Sequence, residues 1–105
     1  MVDEVVSRLF DWDRDNRAHC QKHGVSIDEI EALLRGEPRI APDPKHAHLE
    51  DRLIAVGRTG RGRPLFVAFT IRERFGQPTI RPVSARYMHE REIRNYEAQG
   101  PQNDH

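Results

Sequence analysis

Apolar residues along this chain change spacing several times, and each change marks an element. Residues 7–12, Ser7-Arg8-Leu9-Phe10-Asp11-Trp12, read as a short first strand. Asp13 then suits the cap of a helix from about Arg14 to His23, and Gly24 suits the left-handed position that ends one. A second helix follows at once. Ser26 and Glu29 have the spacing of a capping box, and Val25 and Ile30 that of a hydrophobic staple. Ile27, Ile30, Leu33 and Leu34 recur at helical intervals, and Gly36 and Pro38 stop the run. After a polar loop at 42–51, two strands are predicted at 52–59 and 64–72. In the second, Leu65, Val67, Phe69 and Ile71 face one way, and Phe66 and Ala68 the other. A strand apolar on both faces belongs in the middle of a covered sheet. Thr59–Pro64 reads as a hairpin loop, and a second turn lies near Gly76-Gln77-Pro78.

A further strand covers about 79–85. Pro82 has no N–H to donate, which puts this strand at an edge or makes it irregular there. The last helix is predicted from about Met88 to Ala98. On it Met88, Ile93 and Tyr96 share an apolar arc that also takes in His89, while Arg91 and Arg94 point away. Residues 99–105 read as a frayed tail after a single domain at 1–98. The order β-α-α-β-β-β-α describes an α+β domain. It has two N-terminal helices, one C-terminal helix and an antiparallel sheet of about four to five strands, with the helices mainly on one face.

A length of 105 residues fits one domain with a modest core. No apolar run approaches the roughly 18–20 residues of a membrane span, no secretory signal is visible, and Cys20 has no disulfide partner. The expected location is the cytoplasm. The net charge of zero hides a division: residues 1–51 carry seven Lys/Arg against twelve Asp/Glu, and residues 52–97 carry ten Arg against four Glu. Arginine presents a planar fork of donors that fits phosphate and carboxylate. The second half is therefore a candidate nucleic-acid face, with a solvated surface of internal ion pairs as the plain alternative.

Four blocks of sequence resemble one family. They are Phe10-Asp11-Trp12-Asp13; Lys22-His23-Gly24-Val25-Ser26; Glu50-Asp51-Arg52 with Gly57-Arg58-Thr59 and Gly62–Thr70; and Arg81-Pro82-Val83-Ser84-Ala85-Arg86 with Met88, Glu92, Tyr96 and Glu97. In this order they resemble the BrnT-type toxins, small ribonucleases of bacterial type II toxin–antitoxin pairs related in fold to the RelE toxins. The resemblance implies a RelE-like fold, metal-independent RNA cleavage with no cofactor, and inhibition of translation. It also implies a ribbon-helix-helix antitoxin through which alone operator DNA would be met. Two positions depart from the family's pattern. His19 stands where many members have Asn, and His89 where many have a Thr that would complete a capping box with Glu92.

RNA cleavage of this kind needs a base for the 2′-hydroxyl, cations for the phosphate and an acid for the leaving oxygen. Arg86 and Arg81 are candidate phosphate clamps, since arginine does not readily release its proton. His89 and His46 are the candidate proton-transfer groups. A packed ring is the alternative for His89, and a plain surface residue for His46; His48 has weaker support. Lys22, Arg52, Arg58, Arg61, Arg63, Arg91 and Arg94 are candidates for contact with RNA phosphate or with an acidic antitoxin segment. His23 suits a helix C-terminus. His19 and His23 have metal-ligand spacing but no identifiable third ligand, so no metal site is assigned. Trp12, Phe66, Phe69, Tyr96 and Cys20 are expected in the core; a base-stacking platform is the alternative for the four aromatics, without an RNP-type pattern to mark it. A rival reading is an inactive toxin-like module that only pairs with an antitoxin, and a third is a plain metal-binding domain.

Overall fold

Four strands form one antiparallel sheet in chain order: β1 (Arg39–Pro42), β2 (Arg52–Arg58), β3 (Pro64–Arg74) and β4 (Gln77–Tyr87). Two helices precede them, α1 (Arg14–Cys20) and α2 (Ile27–Arg35), and α3 (Glu90–Gln99) follows. The structure is a computed structural model that describes residues 9–43, 45 and 52–99. The α+β class, the three helices and the antiparallel sheet are as the sequence predicts. The strand expected at 7–12 is reduced, among the described residues, to a parallel bridge from Phe10 to Ile80. A strand at 39–42 takes a place the sequence reading gave to none.

Both N-terminal helices begin where their caps say. Asp13 accepts from the backbone N–H of Asn16 at 3.0 Å, and the Asn16 side chain accepts from that of Asp13 at 2.7 Å. Buried Asn16 also donates to the carbonyls of Asp11 and Pro82, at 2.9 Å each, which ties α1 to β4. Ser26 and Glu29 make the second capping box. Helix α1 ends at Cys20, earlier than expected, and the chain turns to Gly24 at φ +90.

Strand register divides the core. Ala55, Val67 and Ala85 stand opposite one another across the sheet, with Leu53 opposite Phe69. They pack with Cys20, Val25, Ile30, Leu33 and Leu34 under α1 and α2. Val56, Phe66 and Arg86 line up on the other face. There Val56 and Phe66 pack with Met88, Ile93 and Tyr96. The helices therefore lie on both faces of the sheet, not mainly on one, because β3 is apolar on both sides. Edge strand β4 carries a bulge: Ala68 stands opposite Ser84, but Phe69 opposite Pro82, so Val83 is the extra residue.

Polar contacts set the position of α3. Arg58 donates to both Glu90 oxygens at 3.1 and 2.7 Å and to Glu97 at 3.3 Å. Arg39 reaches the Glu97 carbonyl at 3.2 Å, and Arg86 forms a two-pronged pair with Glu92 at 3.1 and 2.8 Å. The helix starts at Glu90, two residues after its predicted start. The Met88 N–H still belongs to the sheet, donating to the Pro64 carbonyl at 3.1 Å. His89 therefore precedes the helix and is exposed, which corrects the packed position that helical periodicity gives it.

Two predictions come from these features. Phe75 is 95% exposed at φ 56, beside Gly76 at φ 75, in a hairpin turn that favours Asn-Gly. Phe75→Asn should raise stability by about 0.5–1 kcal/mol in urea unfolding. Four carboxyls are held below their ordinary values: Glu29 by the Tyr87 hydroxyl, Glu90 by Arg58, Glu92 by Arg86, and Asp13 by the Asn16 N–H. A depressed folded value contributes stability that is complete above the unfolded value and drains as pH falls toward the folded one. The unfolded values are 4.5 for the glutamates and 3.8 for Asp13. These groups should hold the urea midpoint level from neutral pH to about 5 and let it fall below about 4.5. A midpoint that rises on acidification below that range would contradict the assignment.

Candidate functional site

Ten-residue α3 covers only part of its face of the sheet. Beside it opens a cavity of about 400 Å³, lined by Arg52 and Ile54 of β2, Phe66 and Ala68 of β3, and Ser84 and Arg86 of β4. Glu92 and Tyr96 of α3 form one wall, and Asp43 and Lys45 close one end. Period-two alternation explains the floor. Ile54, Ala68 and Ser84 are cross-strand neighbours, and Phe66 stands opposite Arg86 in the next row. Small Ala68 and Ser84 keep the floor low where a larger side chain would fill it.

The cavity is polar in an ordered way. Lys45, Arg52 and Arg86 bring three cations, Asp43 and Glu92 two carboxyls, and Ser84 and Tyr96 two hydroxyls. Asp43 is buried and accepts from the Lys45 N–H at 3.1 Å, while its own N–H donates to the Arg52 carbonyl at 2.9 Å. These bonds anchor both residues at the mouth of the β1–β2 ladder. The Arg86 guanidinium lies 4.5 Å from the centre of the Phe66 ring, a stacked cation that cannot swing freely. The Glu92 hydrogen bonds raise the Arg86 pKa, and Arg86 in turn lowers that of Glu92. Such a site can bind a phosphate by charge and donors, orient it against an aromatic floor and offer hydroxyls nearby. Among the described residues, no group of three His, Cys, Asp or Glu is placed to share a metal ion.

Of the sequence candidates, Arg86 and Arg52 meet in this cavity. His89 and Arg91 line a neighbouring shallow depression with Glu90 and Asn95, and Glu92 is the wall between the two. His46 and His48 lie outside the described residues. Arg58 is occupied with Glu90 and Glu97, and Arg94 leans on Glu90 at 3.4 Å. Arg81 pairs with Asp13 at 3.0 Å and with Asp11 at 3.7 Å, on the edge where α1 begins. Arg63 stacks 3.5 Å from the Tyr87 ring centre, and Tyr87 donates to Glu29. Arg61 is exposed in the same β2–β3 loop, and Lys22 is exposed in the turn after α1. His19 and His23 are exposed, and Cys20 is buried, its thiol pushed up to about 11 by burial.

Sequence reasoning passed over Lys45, Ser84, Glu92 and Tyr96 as site residues. A signal for one of them was present: Ser84 and Arg86 are two apart on a strand, so they must share a face. For Tyr96 the helical arc predicts the core, and its half-buried ring both packs there and borders the cavity.

Two comparisons bear on what this site belongs to. A search of curated proteins found no match. A family model described as the ribonuclease toxin BrnT of a type II toxin–antitoxin system matches residues 12–92, which takes in every described strand and all of the cavity's lining except Tyr96. With the greater part of its length matched, this chain belongs to the BrnT family of type II ribonuclease toxins.

Proposed function

We propose that the protein is a metal-independent endoribonuclease that cuts RNA in the cavity beside α3, halts translation, and is silenced by a ribbon-helix-helix antitoxin covering the same face. The observation that carries this reading is the meeting of Lys45, Arg52 and Arg86 around Ser84 and Tyr96 in the cavity beside α3. Family membership supports the activity class. In the reaction the 2′-hydroxyl of RNA attacks the adjacent phosphorus and the bond to the 5′-oxygen breaks. A 2′,3′-cyclic phosphate and a 5′-hydroxyl result. Arg86, with Arg52 and Lys45, bears the charge that builds on the phosphoryl oxygens. His89 and His46 are the proposed proton carriers, one removing the 2′ proton and the other donating a proton to the leaving 5′-oxygen. Under this reading His89 acts from the rim, across Glu92 from Arg86.

The remaining candidate cations divide by what already holds them. Arg61, Lys22 and Arg91 are exposed. They, with Arg94, form the outer contact surface for RNA or for an acidic stretch of antitoxin. Arg58, Arg63 and Arg81 make their contribution mainly to the fold.

Purified protein should cleave RNA on a denaturing gel with EDTA present, and added antitoxin should stop it. Arg86→Ala should lower the rate by about 100-fold or more while circular dichroism stays unchanged. His89→Ala should lower it by about 100-fold if the ring transfers a proton, and only slightly if it does not. Intact RNA together with tight antitoxin binding would instead establish the inactive pairing module.

A further inference from the structure

The Arg86 fork is already in use. Its Nη1 donates to one Glu92 oxygen at 3.1 Å and its Nη2 to the other at 2.8 Å. That parallel, two-pronged arrangement is the one a phosphate takes on arginine. The Phe66 ring lies under the guanidinium, 4.5 Å from its carbon to the ring centre. The pair is also lightly held. The Arg86 and Glu92 side chains are 43% and 33% exposed, and such pairs are individually weak. Arg58 differs, since it is shared between two carboxylates and a loop carbonyl. Glu92 also sits in the first turn of α3, where a carboxylate is favoured by the helix dipole even without a cation. Leaving Arg86 is therefore cheap for it.

We infer that Glu92 stands in for the substrate phosphate. It keeps the Arg86 fork aligned in the empty site and is displaced when a phosphodiester enters. The inference rests on the reading above that Arg86 meets the scissile phosphate. Glu92 is then a positioning residue that sets how tightly the site accepts RNA. Its depressed pKa keeps it fully charged at neutral pH, which makes it an effective competitor and a poor proton acceptor. Every phosphate that binds must outbid one internal carboxylate, so weak or misaligned phosphates are turned away.

The test uses binding, not turnover. A single-stranded oligonucleotide with 2′-deoxy sugars cannot be cleaved by 2′-hydroxyl attack. Its affinity is measured by fluorescence anisotropy for the wild type, Glu92→Gln, Arg86→Ala and the double variant, each checked by thermal melting. Glu92→Gln should bind up to about fivefold tighter at low salt. Its log–log salt slope should steepen by up to about 0.7, the value of one phosphate contact on a single strand. The double variant should show no gain over Arg86→Ala. Unchanged or weaker binding by Glu92→Gln overturns the inference, and so does an equal gain without Arg86. If Glu92→Gln melts too early to assay, the wild type still decides. Titrated inorganic phosphate should shift the NMR signals of Arg86 Nε and the Glu92 carboxylate together, and a shift of Arg86 alone overturns the exchange. Failure of the wild type to cleave ordinary RNA would sink the nuclease reading and leave these binding results standing.

Discussion

Strand β3 is apolar on both faces, and that requirement organises the molecule. Leu65, Val67 and Phe69 must be kept from water on one side, Phe66 and Ala68 on the other. A chain of 105 residues has little material for two covering layers. Two helices close the first face. Among the described residues one ten-residue helix covers the second, over Val56 and Phe66. The part floored by Ile54, Ala68 and Ser84 is the cavity. Among the described residues, the site is thus a part of the second face edged with charge instead of capped with hydrocarbon.

The basic half of the sequence looks different once its partners are known. Arg58 clamps α3, Arg81 holds the start of α1 against β4, and Arg63 lies on Tyr87. Those arginines are spent on joining elements whose own contact area is small. Each surface ion pair is worth only about 0–1 kcal/mol, so these contacts orient the helices more than they hold them. The hold comes from buried Ile93 and Met88. The cations that line the cavity are a narrower set, Arg86, Arg52 and Lys45.

Much of this was legible beforehand where the cause is local. The caps at Asp13 and Ser26, the two-faced character of β3 and the irregularity at Pro82 follow from side chains acting within a few residues of themselves. The misses share a different origin. β1 has four residues and an exposed Ile40, so nothing in its own sequence marks it; pairing with β2 makes it a strand. The hold of Arg58 on Glu90 spans 32 positions, and no spacing rule reaches that far. His89 was misplaced because helical periodicity was extended two residues into a segment still bonded to the sheet. The cavity could be half read, since alternation puts Ser84 beside Arg86, but which carboxyl faces them depends on where α3 lands.

The extra residue at Val83 links the two halves of β4 in a way that reaches beyond local shape. Ahead of it, Ile80 and Pro82 turn toward the helices; after it, Ser84 and Arg86 turn toward the cavity. The bulge acts as a frame marker for the strand. Losing Val83 would join the two halves into one regular ladder with every pair kept, whereas losing a residue elsewhere in β4 would slip one half by one position and turn its side chains to the opposite face. The strand thus has one place where its length can change by a residue and leave Ser84 and Arg86 facing the cavity.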